Sequence, residues 1–590
     1  MRQQVSIIIA NFQTPISQNG QSYIMRSVIT GSLKVKSLCS ISIMVLTLAS
    51  AESAHAFENF TGFTRLNTLG ETPPHDPFGY DPSQTTVAPV VSAPTTPEPH
   101  PSQKQKSKRA SAKGLKAETK IEAAPQELWG PVPSPKLSVA NIAPGLLPFF
   151  NNGPVFGLPG TLTGDFANRT QVNGDWGGSR TEFARHGWFF DVYTTSTYQD
   201  VTSGGMKTGS AFVQNTQASV NVDLGRAGLT DGGLFHFTLQ SRYGATPDSS
   251  FSAGTAAPQY TGLVEPGPYL YKNTLPSEYF LVQPLTKKFS VVLGKISDVY
   301  IPDQTLFGNS YKYYFANFNF NKNPITTQFY NPTAWAGLGV FTPTENWAIG
   351  GGVLDTETKS SNFVQNAFKW CNVYLTSIFS YNIAGLPGQL TPSLNWSNKP
   401  KVDFSRPFSP LVGFADQQVS SLLGEPTMIG LPMNYKHESW FAIANASQYL
   451  YVRDDADTVK GKLKSGDPIN GVGVFARGGY APQSSNTING DGSIAIFAHG
   501  LAEDRPHDSF GAGFYYNKIS GLLKRDVSRM TLFTRNIQDE KGMETFYDFA
   551  ITPAIRFIPS YQHIWNPLIS QAVKQRDHAD VFLTRVTIAW

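Results

Sequence analysis

Two carboxylates, Glu544 and Asp548, stand four residues apart in the run "METFYDFAITPAIRFIPSYQHIWNP" (Met543–Pro567). Paired carboxyl groups are the minimum equipment for glycoside hydrolysis, which needs them about 5–9.5 Å apart. The run alternates apolar and polar residues with period two, the signature of a strand. Four strand residues at ~3.3 Å each separate the two groups by roughly 13 Å, too far for that chemistry. No G-x-S-x-G elbow, H-E-x-x-H pair or glycine-rich phosphate loop occurs, and the 10 histidines are scattered without metal-ligand spacing. No enzyme, metal site or cofactor is therefore expected.

What the polar residues share is a strand face. In Leu234–Tyr243, His236, Thr238, Gln240 and Arg242 alternate with Phe235, Phe237, Leu239 and Tyr243. In Glu544–Ile551, Glu544 and Asp548 fall opposite Thr545, Tyr547, Phe549 and Ile551. The final run "VFLTRVTIAW" sets Arg585 against Phe582, Val586, Ile588 and Trp590. Trp188–Gln199 and Trp347–Val353 alternate in the same way, the first with an aromatic at each end of its apolar face. About ten tilted strand residues span roughly 25 Å, the height of a barrel's apolar band, and aromatics at both ends match the interfacial girdles. A soluble sandwich also alternates. It has no use for aromatic-ended apolar faces or for charges on the opposite face, which a water-filled lumen accommodates. Lumen-facing candidates are thus His236, Gln240, Arg242, Glu544, Asp548 and Arg585, followed by Lys295 and Asp298. Arg477, Arg505 and Asp508 fall at strand ends or turns.

Composition agrees. Charged residues make up 15% and aromatics 13% of 590 residues, with 52 glycines; soluble domains carry roughly 25% charged residues. A net charge of +4 gives no reason to expect nucleic acid as a partner. Two cysteines, Cys39 and Cys371, exclude a disulfide framework. Arg26, Lys34 and Lys36 precede the apolar run Leu38–Ala49 and the Ala54-His55-Ala56 pattern, the layout of a secretory signal peptide over 25–56. Met25 is then the expected start and 1–24 an over-long gene start. The apolar run is too short to span a bilayer, so membrane insertion must use strands. Residues 57–160 are rich in Pro and Lys, with few apolar residues to offset the entropy of ordering. They are expected to form a disordered arm, a spacer or a tether to anionic cell-wall polymer.

At the arm's end stands "NGDWGGSRTEFARHGWFF" (Asn173–Phe190). Ser179 and Glu182 have capping-box spacing and Gly187 suits the residue past a helix end. A short helix over Arg180–His186 should close the inner mouth of the barrel, with Asp175, Trp176, Arg180 and Glu182 as its plug residues.

Several blocks together resemble the carbohydrate-selective porin family (OprB-type): "GDWGGSRTEFARHGWFFDVYTTSTY" (Gly174–Tyr198), "EYFLVQPLTKKFSVVLGKISD" (Glu278–Asp298), "FTPTENWAIGGGVLD" (Phe341–Asp355), "GVGVFARGGYAPQSSNTI" (Gly471–Ile488), "GLAEDRPHDSFGAGFYYNKIS" (Gly500–Ser520) and the Met543–Pro567 run. The terminal Trp590 departs from the family's commoner Phe, and Asp548 from its commoner Glu. The resemblance spans 174–590. It implies an all-β fold, a transmembrane antiparallel β-barrel of 16 strands in the Gram-negative outer membrane. Divided among 16 strands, this region allows roughly 26 residues per strand and connection, and eighteen strands fit almost as well. The implied function is facilitated diffusion of glucose and other mono- or oligosaccharides, with charged and amide groups exchanging hydrogen bonds with sugar hydroxyls. Implied partners are outer-membrane lipid and, through the aromatic C-terminal strand, the outer-membrane assembly machinery. The other reading is a general-diffusion or structural porin whose arm tethers the membrane to the cell wall.

Overall fold

The computed structural model describes residues 165–590 except 245–251, 258–272, 298–304, 308–311, 331–332, 357–367, 408–434, 466–467 and 531–535. The expected signal peptide, arm and over-long start lie outside the described residues, as does Asp298.

Among the described residues, sixteen strands close into one antiparallel barrel. The first five are β1 (Trp188–Gly204), β2 (Gly209–Asp223), β3 (Leu234–Gly244), β4 (Asn273–Pro284) and β5 (Phe289–Ser297). β6 (Thr333–Thr344), β7 (Trp347–Asp355), β8 (Cys371–Ile383), β9 (Leu386–Ser397) and β10 (Ser439–Val452) follow. β11 (Gly471–Tyr480), β12 (Ile488–His499), β13 (Ser509–Ile519), β14 (Glu540–Thr552), β15 (Ile555–Trp565) and β16 (His578–Ala589) complete it. Each strand pairs with its sequence neighbour, and β16 returns to β1 with Thr197 opposite Arg585. Full closure leaves no unpaired edge, which the hydrocarbon core demands. No described helix is long and apolar enough to cross a membrane.

The faces follow the alternation. On β14, Met543, Tyr547, Phe549 and Ile551 are exposed on the outer wall while Glu544, Phe546 and Asp548 are buried inward. β3 turns His236, Thr238, Gln240 and Arg242 inward and Phe235 and Leu239 outward. The strands run from 9 to 17 residues. β1 exceeds the expected length because it continues past the outer rim to Gly204, beyond a register shift between Val201 and Ser203.

Tight turns gather at the end that carries Trp188 and Trp590. Ala384 and Gly385 join β8 to β9 with φ of 54° and 85°, the two left-handed residues a twisted hairpin needs. Longer connections gather at the other end. In an outer-membrane barrel the short-turn end is periplasmic.

The N-terminal helix spans Ser179–Arg185, one residue earlier than expected, and the capping box does not form. Gly178 occupies the N-cap in a left-handed conformation. Asp175 does the capping instead: its Oδ1 accepts the Thr181 N–H at 2.7 Å and the Thr181 hydroxyl at 2.8 Å. Glu182 remains exposed and pairs with Arg185 at 3.1 Å. Gly187 follows the helix as expected, at φ +83°, and a Cβ there would stand 2.6 Å from the Asp223 carbonyl.

Candidate functional site

The inward faces of the strands do not enclose an empty lumen. The connection between β5 and β6 folds inside the barrel, and its described parts, 305–307 and 312–330, pack against the inner wall of β8–β16. Asn372 Nδ2 on β8 donates to the Phe329 carbonyl at 3.0 Å, and the Tyr330 hydroxyl donates to Asn395 Oδ1 on β9 at 2.6 Å. The sequence "KYYFANFNFNKN" (Lys312–Asn323) explains how. Its aromatics alternate irregularly with amides, so it makes no strand. Phe315 and Phe320 stack together at 4.8 Å in a cluster with Phe307, Phe475, Phe497, Tyr515 and Phe546. The wall makes room by omitting side chains. A Cβ on Gly473 would come 2.1 Å from the Phe307 ring, and one on Gly511 would come 2.7 Å from the Phe315 ring.

Polar anchors lock the segment. Glu544, expected to face the lumen, is fully buried; its two oxygens accept the Ala316 N–H at 2.8 Å and the Asn317 N–H at 2.7 Å. Ser560 Oγ donates to the same carboxylate at 2.7 Å. Asn317 in turn caps the short helix Phe318–Asn321, its Oδ1 accepting from Asn319 N–H. Arg585 donates to the Tyr314 carbonyl, and Thr587 Oγ1 to the Lys312 carbonyl at 2.9 Å. Asp548 holds Arg556 through two hydrogen bonds of 3.0 and 2.6 Å. The Coulombic reach of Arg585 extends to both Glu544 and Asp548, so the anchors form one charge-balanced group. A buried carboxylate is tolerable only when paired and hydrogen-bonded, and this one is both.

His236, Gln240 and Arg242 are placed elsewhere, on the inward face of β3. His236 bridges Asn221 Oδ1 at 2.6 Å and Thr238 Oγ1 at 2.8 Å and stacks on Phe280 at 4.7 Å. Gln240 Nε2 donates to Asn215 Oδ1 at 2.8 Å. Beside this wall, Lys312 holds its ammonium 4.4 Å from the Tyr193 ring centre and acts electrostatically on Asp191 and His236. The six lumen candidates therefore fall into two groups, three on an amide-rich wall and three beside the inward segment. Glu544 and Arg585 grip that segment directly, while Asp548 holds Arg556, whose guanidinium lies 5.5 Å from the Tyr313 ring centre. Lys295, expected to face the lumen, falls instead on the outer-face parity of β5 with the exposed Phe289 and Leu293, because Val292 and Ile296 take the inward positions. It is buried beside its cross-strand partners Tyr279 and Trp335, with its ammonium 6.0 Å from the Tyr279 ring centre.

At the inner mouth, Arg180 is 1% exposed and donates to three carbonyls: Gly174 and Trp590, each at 3.3 Å, and Phe190. Its guanidinium lies 4.8 Å from the Trp176 ring centre. Trp590 adds its own N–H to Val192 O and its indole N–H to Thr194 Oγ1, both at 2.9 Å. Asp175 and Arg180 thus pin the N-terminal segment across the seam where first and last strands meet. The Arg505–Asp508 turn is a second clasp at this end. Asp508 receives Arg505 in a fork at 2.9 and 3.0 Å, the Tyr547 hydroxyl at 2.7 Å and the Ala550 N–H at 2.9 Å. Burial alone would raise the Asp508 carboxyl; these donors outweigh it and hold the group below its ordinary value.

Residues 207–589 match the family model for "Carbohydrate-selective porin, OprB family". The chain belongs to this family. The match begins beyond the Gly174–Tyr198 block, which the family model does not cover. A high-pH structure of Pseudomonas putida OprB is similar in fold at 16% identity and TM-score 0.57, covering 72% of this chain and 100% of that one. A low-pH structure of the same protein aligns at 13% identity, TM-score 0.42, with 72% and 99% coverage. OprD of Pseudomonas aeruginosa aligns at 11% identity, TM-score 0.34, with 68% and 93% coverage. No curated protein matches the sequence. This porin is an outer-membrane carbohydrate porin on a closed 16-strand barrel, in a family of channel proteins rather than enzymes. Its family and fold point to the Gram-negative outer membrane.

Sequence reasoning missed the inward segment and with it Lys312, Phe315 and Asn317. Two signals were available: an aromatic–amide run with no period, and unexplained glycines at inward positions of β11 and β13.

Proposed function

We propose that sugars cross this porin between the inward segment 312–330 and the amide-bearing face of β1–β3. The observation that carries this reading is the segment's attachment to β8–β16, through bonds that run from Asn372 and Asn395 to Glu544 and Arg585, which leaves the face of β1–β3 as the polar side of the passage. There His236, Gln240 and Arg242, with Asn215, offer donors and acceptors that suit hydroxyls without demanding a charge. Lys312 and Asp191 set opposite charges beside the path, giving a field without net ion trapping. Glu544, Asp548 and Arg585 enter as the residues that fix the shape of the constriction.

Liposome swelling tests it. Glucose should enter faster than an amino acid of equal size. Gln240→Leu should slow glucose by ~2–10-fold, the worth of one hydrogen bond, and leave the amino acid unchanged. Equal effects on both solutes would remove β3 from the sugar path, and equal wild-type rates would favour unselective diffusion.

Beyond the pore, the chain is proposed to reach the outer membrane by export through the inner membrane and to be received by the assembly machinery through the strand ending in Trp590. The Pro/Lys-rich residues 57–160 are proposed to contact anionic cell-wall polymer. Deleting 71–160 should abolish co-sedimentation with purified cell wall; unchanged sedimentation would remove the tether.

A further inference from the structure

Near the loop end of the outer wall, two exposed lysines stand on adjacent strands. Lys541 is an exposed residue on the outer face of β14, and its cross-strand partners are Tyr516 on β13 and Trp565 on β15. The row Tyr516–Lys541–Trp565 lies at the loop end of the wall, at the level where an aromatic girdle marks the membrane interface. Lys518, also exposed on the outer face, stands two residues beyond Tyr516. Its stem crosses Gly490: a Cβ built there would meet Lys518 Cβ at 3.5 Å and Cδ at 3.7 Å. The two lysines are diagonal neighbours on adjacent strands, with Cβ atoms ~7–8 Å apart, so both ammonium groups can reach one anion.

Among the described residues neither lysine has an ion pair. The nearest outward carboxylate, Asp539, is already occupied. It accepts from Lys524 Nζ and the Tyr516 hydroxyl, each at 2.6 Å, and from the Ile519 N–H at 2.8 Å. Two cations at the lipid interface with no protein counter-charge call for an anion supplied by the membrane. Because this rim is at the end of the long connections, the membrane leaflet beside it is the outer one.

We propose that Lys518 and Lys541 bind the phosphate of a phosphorylated lipid headgroup in the outer leaflet, with Tyr516 and Trp565 against the adjoining sugar or glycerol and upper acyl chain. Cations at a membrane surface contribute ~five-fold each to the affinity for anionic lipid. The test is native mass spectrometry of the full chain in detergent with bis-phosphorylated lipid A, its dephosphorylated form, and inorganic phosphate. Wild type should retain the phosphorylated lipid over the dephosphorylated one by ~10–30-fold. Lys518→Gln/Lys541→Gln should lose that preference while keeping the heat-modifiable gel shift of a folded barrel and unchanged glucose flux. Lys287→Gln/Lys288→Gln, at the short-turn end, should leave the preference intact. Three outcomes overturn the proposal: preference retained in the Lys518/Lys541 variant, equal loss in the Lys287/Lys288 variant, or displacement of the lipid by millimolar phosphate. None of these readouts depends on the sugar path.

Discussion

Glu544→Ala should loosen the constriction without releasing it. The carboxylate holds two backbone N–H groups, at 2.8 and 2.7 Å, immediately before the short helix of the inward segment. Hydrogen bonds to a charged group contribute ~1.5–3 kcal/mol each, so the pair accounts for roughly 3–6 kcal/mol of attachment. The aromatic anchors oppose complete release. Phe315, Phe318 and Phe320 are each 0–2% exposed, and burying a Phe side chain contributes ~1.5–3 kcal/mol, roughly 5–9 kcal/mol for the three. The aromatic term is the larger, so the segment stays docked on average. Its lifted population nevertheless rises by about 10² or more, since each 1.4 kcal/mol is tenfold. Single-channel recording in planar bilayers should show brief high-conductance excursions on an otherwise normal baseline, together with a raised size limit for sugars. Glu544→Ala/Phe315→Ala removes both kinds of anchor and should hold the channel in the wide state. Glu544→Ala channels with wild-type conductance, noise and sieving would refute the assignment of Glu544 as the clasp.

Three further outcomes follow from the geometry. Arg180→Met removes three hydrogen bonds at the seam, two of them long at 3.3 Å; a loss of ~2–3 kcal/mol is expected, visible as a lower transition temperature in heat-modifiability gels with conductance unchanged. Gly473→Val places atoms inside the Phe307 ring, with the first carbon only 2.1 Å away; the segment must shift, and glucose flux should change while the barrel still folds. Asp508 has a lowered carboxyl pKa, so its stabilising effect is complete above the ordinary carboxylate value of about 4 and fades as pH falls through the lowered one. Asp508→Asn should therefore melt below wild type at neutral pH, with the gap closing only in acid below about pH 4; a gap that is constant down to pH 2 would exclude the ionised Asp508 as its source.

Much of this barrel is written locally. A strand sends alternate side chains to opposite faces, so His236, Gln240, Arg242, Glu544, Asp548 and Arg585 could be assigned inward from neighbours one and two residues away. The same rule put Phe582 and Tyr547 on the outer wall. Gly187 could be placed past a helix end because its left-handed φ is a single-residue property. The capping of that helix was misread because Asp175 reaches over six residues to Thr181, outside the Ser179–Glu182 spacing on which the expectation rested.

What Glu544 does was decided only by closure of the barrel. Its partners Ala316 and Asn317 lie 228 and 227 residues away, and no local period signals a contact at that range. The inward path of 312–330 depends equally on Gly473 and Gly511, whose missing side chains mean nothing until Phe307 and Phe315 arrive against them. Alternation is set by the backbone of each strand and survives in the sequence. Which strand wall receives the inward segment is set by shape and charge across the lumen, and these exist only once all sixteen strands have met.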